Sequence, residues 1–293
     1  MDLGYIGLGK MGGALAKRLM RQHKLRVFDL KPPLVQEFAA AGAVPVQSPG
    51  AMAGACDVVM TCLPTSSQVR DVIFGADGLA GQLKPGSVVI DMTTGDPNAT
   101  RAMAAELTAR SIQLIDAPVS GGPHGAAAGT IAIMVGAPAE LYQRIKPVLA
   151  TISPNIFHTG DVGTGHLMKL VNNVVAAGVR AVTFEAITMG VKNGLSLKTC
   201  AEVLQKGSAR SYTTEVTLPR FLDGSFANNF MIGLMLKDVK LATQMGTESA
   251  APMPLGGLVR EILQAATNEH GADADVNMLI RSCERAAQTK VVP

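Results

Sequence analysis

The sequence predicts an α/β protein in which a doubly wound, mostly parallel sheet is followed by an all-helical domain, with a long interdomain helix joining the two. The first half alternates short β-rich runs with amphipathic stretches, as parallel strands joined by crossover helices do. After about residue 162 the β-like runs stop and long helical periodicities take over. At 293 residues the chain also exceeds the size of a typical single core. We therefore expect two domains, residues 1–162 and 163–293.

Short apolar runs and helical patterns alternate through the first domain. The predicted strands are Leu3–Leu8, Leu25–Asp29, Val58–Leu63, Ser87–Asp91, Ile112–Asp116, Ile131–Val135 and Asn155–His158. The predicted helices are Gly13–Gln22, Leu34–Ala41, Gln68–Ile73, Ala99–Arg110 and Ala139–Ala150.

The first strand runs directly into a glycine-rich turn, Gly7-Leu8-Gly9-Lys10-Met11-Gly12, which opens a helical pattern. In this GxGxxG context Gly7 allows the tight turn, Gly9 lets the backbone approach a pyrophosphate, and Gly12 permits close helix packing. The helix N-terminus presents unpaired N–H groups to the phosphates. The motif therefore predicts a Rossmann-type domain that binds NAD or NADP.

Asp29 ends the second predicted strand. A carboxylate at that place accepts hydrogen bonds from the adenosine ribose and repels a 2′-phosphate, which favours NAD. Lys31 lies two residues further on and could instead pair with a 2′-phosphate, so NADP stays open. An ordinary strand-end carboxylate is the alternative interpretation of Asp29.

Two further loops follow the carboxyl ends of predicted strands, the edge where open α/β sheets bind ligands. They contain Leu63 and Pro64 after the third strand, and Thr93 and Thr94 after the fourth. The position of these two loops is equally compatible with cofactor contacts and with ordinary loops that bind no ligand.

The segment Asp116-Ala117-Pro118-Val119-Ser120-Gly121-Gly122 follows another strand. The Ser120 hydroxyl and the N–H groups around Gly121 and Gly122 can donate to a carboxylate without a bulky side chain in the way. A tight turn with no ligand explains the same residues.

The stretch from Gly165 to Asn193 predicts one helix, about 42 Å long at ~1.5 Å per residue. It is apolar on most sides, which predicts burial. Lys169 and Asn173 are four residues apart and share a face. Burial disfavours an ammonium ion, the condition under which lysine exchanges protons near neutral pH. A lysine that reaches solvent from the helix end is the alternative, and His166 is interpreted as a structural or boundary residue.

Charge and cysteine content exclude some classes of function. Charged residues make up 17% of the sequence, and the net charge is +3. This positive charge is too small to indicate nucleic-acid binding but is compatible with a small acidic ligand. The four cysteines lack metal-ligand spacing and are expected to be reduced thiols in the cytoplasm. No membrane partner is expected, and the tail from Thr289 is expected to fray.

The glycine turn, the Asp116–Gly122 segment, the Gly165–Asn173 segment and Lys237-Asp238-Val239-Lys240-Leu241-Ala242 occur in order. Together they resemble the β-hydroxyacid dehydrogenase family along essentially the whole chain. The resemblance implies that Lys169 is the general acid/base and Asn173 its partner. It implies a carboxylate site at Ser120, Gly121 and Gly122, and cofactor contacts from Thr94 and Lys237.

The family mechanism uses no metal: lysine takes the hydroxyl proton as hydride leaves the same carbon for the nicotinamide. The resemblance also implies a homodimer or homotetramer. Tartronate semialdehyde, 3-hydroxypropanoate-type acids and 3-hydroxyisobutyrate are the expected substrates, and Arg210 could bind a second carboxylate or be an ordinary surface arginine. The alternatives are an imine reductase, which would need another proton donor at position 169, and a catalytically silent interaction module.

Overall fold

The structure is a computed structural model that describes residues 2–292, so Met1 and Pro293, the outer ends of the two predicted domains, lie outside the described residues. The chain divides into two compact units, the first ending at Lys169 and the second beginning at Leu170. Because the division falls inside a helix, the domain limits 1–162 and 163–293 stay predictions.

Within residues 2–292, nine strands form one sheet in the first unit. They are β1 (Asp2–Ile6), β2 (Lys24–Phe28), β3 (Val44–Pro45), β4 (Val58–Thr61), β5 (Val88–Asp91), β6 (Gln113–Asp116), β7 (Val119–Ser120), β8 (Ala132–Gly136) and β9 (Ile156–Gly160). The first six are parallel in the order β3-β2-β1-β4-β5-β6. β8 is antiparallel to β6 and β7, and β9 is parallel to β8. The strand order reverses between β1 and β4, where such sheets bind ligands.

Helices cover both faces of this sheet. They are α1 (Lys10–Leu19), α2 (Pro32–Ala40), α3 (Pro49–Ala53), α4 (Ser66–Phe74), α5 (Pro97–Thr108), α6 (Gly122–Ala128) and α7 (Ala139–Ala150). Successive residues of β5 enter opposite cores: Val88 and Ile90 pack with α1 and α7 residues, whereas Val89 packs with α4 and α5 residues. A strand buried on both faces is typical of a parallel sheet between two helix layers. The predicted doubly wound fold is confirmed.

The second unit is helical throughout its described residues apart from turns, loops and one isolated β-bridge. Its helices are α8 (Thr164–Lys192, which begins in the first unit), α9 (Leu197–Lys206), α10 (Leu218–Leu222), α11 (Ile232–Glu248), α12 (Pro254–His270) and α13 (Leu279–Ala287), with a π-helical turn at Thr213–Thr217. Phe184 and Phe221 are fully buried in its core, with ring centroids 5.7 Å apart. The predicted all-helical second half is confirmed.

The long helix α8 has 29 residues and ends where the sequence predicts. Gly194 takes a positive φ of 96°, and the Leu195 N–H donates to the Gly190 carbonyl at 3.0 Å, which closes the last turn.

The expectation that α8 is buried on most sides is wrong. Val175 and Val182 are 60% and 59% exposed, on a side that also exposes Val171 and Met189. By length and composition alone, α8 is the one helix among residues 2–292 that could cross a membrane, with 44% of its most apolar window buried. Core helices of soluble proteins meet the same criterion.

The C-terminal tail is ordered through Val292, so the expectation that it frays is wrong for residues 289–292. The buried Glu284 carboxylate accepts the N–H groups of Val291 and Val292 at 2.6 and 2.7 Å. Both valine side chains are buried in the core of the second unit. A carboxylate that accepts two backbone N–H groups thus holds the chain end in place.

Candidate active site

The glycine turn between β1 and α1 needs glycine at two positions. Gly7 has a positive φ of 96°, and a Cβ there would lie 2.3 Å from the Cys62 carbonyl oxygen. A Cβ on Gly12 would lie 2.0 Å from the Gly7 carbonyl oxygen. A larger residue at either position would therefore displace the backbone of the turn.

The third glycine faces open space. A Cβ on Gly9 would meet no heavy atom within 4 Å, and no side chain among residues 2–292 caps this end of α1. The start of α1 at Gly9 is thus not covered by a capping side chain. An anion fits such a helix N-terminus, and these residues fit the pyrophosphate of a dinucleotide.

The carboxylate of Asp29 ties the end of β2 to this turn. Its Oδ2 accepts the Leu8 N–H at 2.7 Å, and its Oδ1 accepts the Lys31 N–H at 2.8 Å. Each oxygen keeps lone-pair capacity for another donor. A cleft of about 500 Å³ adjoins it, lined by Gly9, Lys10, Leu30, Lys31, Pro32, Pro33 and Leu34. The site can hold the adenosine end of a dinucleotide.

The loops after β4 and β5 are bonded to each other. The Leu63 N–H donates to Thr93 Oγ1 at 3.0 Å, and the Thr93 N–H donates to Asp91 Oδ1 at 3.0 Å. Pro64 is exposed and Thr94 is half-buried. The fold thus brings the two predicted cofactor loops together at the carboxyl edge of the sheet.

The loop after β6 contains two glycines in a backbone conformation that other residues rarely adopt. Gly121 and Gly122 take positive φ values of 134° and 68°, which favour glycine. Ser120 precedes them at the end of β7 and is half-buried. No side chain among the described residues caps the start of α6 at Gly121. The Ser120 hydroxyl and adjacent N–H groups can therefore serve a substrate carboxylate.

The first turn of α8 is fixed to the end of β6. Asp116 accepts the N–H of Gly163 at 2.6 Å and the N–H of His166 at 2.7 Å. A Cβ on Gly165 would lie 2.4 Å from the Met134 carbonyl oxygen, so helix and sheet approach closely there. Burial raises the pKa of Asp116, although His166 and the two N–H groups act in the opposite direction.

Lys169 follows one turn later and is only 8% exposed, so it does not extend into solvent from the helix end. Asn173 stands one further turn along α8, in the second unit, and is 4% exposed. The Asn173 amide donates to Asp238 Oδ2 at 2.6 Å, and its oxygen accepts from Asn172 at 2.9 Å. Lys237 pairs with Asp238 Oδ1 at 3.0 Å.

Sequence reasoning missed Asp91 and Asp238, both buried. Asp91 ends a predicted strand, as Asp29 and Asp116 do, and that pattern was a usable signal. Asp238 stands beside Lys237 in the fourth motif, but no local pattern pairs it with Asn173. Arg210 follows α9 and is exposed.

Comparison with known proteins shows the relationship. Residues 2–160 match the sequence model of the NAD binding domain of 6-phosphogluconate dehydrogenase. Residues 163–283 match that of the NAD-binding region of NADP-dependent 3-hydroxyisobutyrate dehydrogenase. The chain belongs to the β-hydroxyacid dehydrogenase family.

Relatives within this family match along nearly the full length. The 2-(hydroxymethyl)glutarate dehydrogenase of Eubacterium barkeri is 35% identical over 99% of this chain and 97% of its own. The 3-hydroxyisobutyrate dehydrogenase of Pseudomonas aeruginosa is 35% identical over 93% of this chain and 95% of its own. The structure of Mycobacterium tuberculosis 3-hydroxyisobutyrate dehydrogenase with L-serine has a TM-score of 0.87 at 30% identity, covering 96% of this chain and 98% of that one.

The family membership makes this chain an NAD(P)-dependent β-hydroxyacid dehydrogenase. Both cofactors are supported, because both matched sequence models describe NAD-binding regions and a neighbour with a TM-score of 0.88 at 28% identity, covering 96% of this chain and 99% of its own, holds NADP+. A Streptomyces aurantiacus imine reductase is 19% identical with a TM-score of 0.66, covering 96% of this chain and 99% of its own, which shows a shared fold alone.

Proposed function

We propose that this family member oxidises a primary β-hydroxy acid, HO–CH2–CHR–COO⁻, to its semialdehyde and catalyses the reverse reduction, with Lys169 as general acid/base. The observation that carries the proposal is the burial of Lys169 on a helix turn that Asp116 attaches to β6. The chain continues from β6 into the Ser120 loop. A proton-transfer group and a carboxylate site are thus built from the same end of one strand.

Lys169 moves the proton in this mechanism. In the oxidative direction its neutral amine accepts the hydroxyl proton, and in the reductive direction its ammonium donates that proton to the carbonyl oxygen. The burial of Lys169 supports this role, because it keeps the amine out of bulk water at the place where a proton would be exchanged. When bound, the nicotinamide supplies the hydride acceptor or donor.

Asn173 lies one helical turn beyond Lys169 and orients the lysine or the substrate hydroxyl in this proposal. Its bond to Asp238 supports the role, because it fixes the Asn173 nitrogen as a donor to the carboxylate. Its amide oxygen then points to the other side, where Asn172 donates to it.

The substrate carboxylate binds at Ser120, Gly121 and Gly122 in this proposal. Charge-assisted hydrogen bonds from a hydroxyl and from backbone N–H groups hold a carboxylate without a buried counter-charge. The absence of side chains at both glycines supports the assignment, because it leaves room for a carboxylate to approach the backbone.

The cofactor contacts we propose are the turn from Gly7 to Gly12, Leu63 and Pro64, Thr94, Asp29, and Lys237 in the second unit. NAD is the preferred cofactor because the Asp29 carboxylate would repel a 2′-phosphate. The cleft also contains Lys31, which would accommodate that phosphate. The balance between these two side chains decides the preference.

The relatives' names support the substrate class. 3-Hydroxyisobutyrate and 2-(hydroxymethyl)glutarate both carry a CH2OH group on the carbon next to the carboxylate. 3-Hydroxypropanoate-type acids fit the same formula with a different R group, and tartronate semialdehyde is the semialdehyde that corresponds to R = OH. Arg210 is the candidate for a second carboxylate or hydroxyl in R.

We also propose that the chain forms a homodimer or homotetramer through α8. Its exposed residues Val171, Val175, Val182 and Met189 recur at intervals of four and seven, which keeps them on one side of a helix. A row of exposed apolar side chains on one side of a helix fits an interface with another copy of the chain. The four free cysteines fit a reducing compartment, and we place the enzyme in the cytoplasm.

A panel of acids that differ only in R tests the proposed reaction. Purified enzyme is mixed with NAD+ or NADP+ and with 3-hydroxypropanoate, glycerate, 3-hydroxyisobutyrate, L-serine or 2-(hydroxymethyl)glutarate, and absorbance at the reduced-nicotinamide band is followed. We expect turnover of at least one of these acids. As controls, the corresponding acids that lack the hydroxyl group should not be oxidised. If only cyclic imines were reduced, the assignment would be wrong.

A further inference from the structure

A buried carboxylate and a buried imidazole face each other at the carboxyl edge of the sheet. Asp91 Oδ1 accepts from the Thr61 hydroxyl at 2.9 Å and from the Thr93 N–H at 3.0 Å. Asp91 Oδ2 lies 3.7 Å from His166 Nε2, and among residues 2–292 neither atom has a hydrogen-bond partner. Both side chains are fully buried. The Asp91 carboxylate and the His166 imidazole therefore face each other in a buried space.

The imidazole of His166 is held on its remaining sides. Its Nδ1 lies 3.0 Å from the Thr100 hydroxyl, and its backbone N–H donates to Asp116 at 2.7 Å. A Cβ on Gly95 would lie 2.8 Å from the ring carbon Cε1, so the loop packs directly against the ring. Because a carboxylate only accepts, the ring proton belongs on Nε2, the nitrogen that faces Asp91 Oδ2 at 3.7 Å.

This pair connects two parts of the proposed site. On one side, Asp91 fixes Thr93, whose hydroxyl accepts the Leu63 N–H, so both cofactor loops depend on one carboxylate. On the other side, His166 lies three residues before Lys169, on the same helical turn. A shift of the pair would move the cofactor loops and the lysine relative to each other.

We propose that Asp91 and His166 are a positioning pair that sets the place of the Lys169 amine relative to the cofactor loops. The inference rests on the proposed function of Lys169, and neither residue touches substrate or cofactor in it. The other titratable groups that act on the pair are Cys62, which interacts with Asp91, and Asp116, which interacts with both. The pair acts by fixing the distance between the Lys169 amine and the cofactor loops. Proton and hydride transfer both require the reacting atoms to be correctly placed.

The experiment uses the full-length enzyme and four variants. His166→Leu removes the ring, and His166→Gln keeps an N–H donor for Asp91. The double variant Asp91→Asn with His166→Leu removes the buried unpaired charge that the single leucine variant leaves. His158→Leu is the matched control, because His158 lies on β9 against Tyr142, in the same unit but outside the pair. Each variant is assayed for thermal unfolding, NADH affinity, kcat and the isotope effect with hydroxymethyl-deuterated substrate.

Because asparagine keeps an oxygen that can accept from the Thr61 hydroxyl and the Thr93 N–H, we expect the double variant to fold and bind NADH like wild type. It should lose about 100-fold in kcat, with a larger isotope effect. His166→Gln should recover most of the lost rate, and His158→Leu should behave as wild type. A folded double variant with wild-type kcat would overturn the inference. So would a loss of rate that only follows a loss of NADH binding or folding, because the pair would then be structural.

Failure of the proposed function is recognised separately. If Lys169→Ala retained wild-type kcat, the general acid/base assignment would fall whatever the His166 variants did. If Lys169→Ala were inactive and the folded double variant fully active, the positioning pair alone would be wrong.

Discussion

The carboxylate of Asp116 accepts the backbone N–H of His166 at 2.7 Å, which joins two residues fifty positions apart in the sequence. The same carboxylate accepts the Gly163 N–H. Both N–H groups belong to the beginning of α8 and have no partner inside the helix. A strand-end side chain thus caps the helix that carries Lys169, so strand register determines where that lysine stands.

Asp116→Ala should destabilise the first unit. The substitution leaves two buried N–H groups without an acceptor, and each unsatisfied group lowers the free energy of unfolding by about 1–3 kcal/mol. Denaturant unfolding followed by circular dichroism measures the loss. Asp161→Ala, an exposed carboxylate at the same helix start, is the control and should change little. Equal stability of the two variants would contradict the capping role.

Asp116 should also make stability depend on pH. Burial raises its pKa in the folded state, so the folded protein holds this proton more tightly than the unfolded chain. The free energy of unfolding therefore falls as pH rises from about 3.9, the ordinary carboxyl value, through the raised one, and is level above it. Asp116→Asn cannot ionise and lacks this decline. Unfolding of both proteins between about pH 4 and 8 tests the expectation, which a pH-independent difference would contradict.

Lys169→Ala should lower kcat by about 10²–10⁴-fold, the usual contribution of a general acid/base, with NADH affinity little changed. Stopped-flow hydride transfer and NADH fluorescence titration measure the two effects. Lys192→Ala is the control, since Lys192 lies at the far end of the same helix and donates to the Ala287 carbonyl. Wild-type turnover by the position-169 variant would remove lysine from the mechanism.

Asp29→Ala should relax the discrimination between NAD and NADP, because the carboxylate that repels a 2′-phosphate is gone. NADH binding should weaken about tenfold as the ribose contact and the bond to the Leu8 N–H are lost together. Ratios of kcat/KM for the two cofactors measure the change. Glu37→Ala, which removes only the exposed pair with Lys17, should leave the ratio as in wild type. An unchanged ratio in the Asp29 variant would exclude it as the discriminating group.

Val175→Glu should dissociate the assembly that we propose on α8, because it buries a charge in an apolar interface. Analytical ultracentrifugation measures the mass, and vesicle flotation of wild type tests a membrane as the alternative partner of the apolar side. Val203→Glu on α9 is the matched control, with 63% of that valine exposed. Unchanged mass in the Val175 variant would place any interface elsewhere.

Local patterns predicted most of the sheet. The seven longer strands and the five predicted helices of the first unit occur within a few residues of their predicted ends. The two missed strands, β3 and β7, have two residues each, which is too short for a periodic signal. The antiparallel direction of β8 was not predictable either, because the alternation of apolar residues does not encode strand direction.

The candidate site was predictable where one segment carries the chemistry. The turn from Gly7 to Gly12 and the Lys169 helix are segments of that kind. Asp91 and Asp238 were missed because their roles depend on His166 and Asn173, which lie 75 and 65 residues away in the sequence. Nothing near Asp91 in the chain indicates that a histidine will face it.

The sequence by itself determined the order of the longer strands and helices along the chain, the glycine turn and the position of Lys169 on a long helix. Each of these depends on residues that are close together in the sequence. Only the tertiary structure decided that Asp116 caps α8, that Glu284 holds the tail and that one side of α8 is exposed. Those outcomes depend on which distant segments share a buried space, and there every polar group must find a partner. That requirement acts across the folded chain and leaves no periodic trace in the sequence.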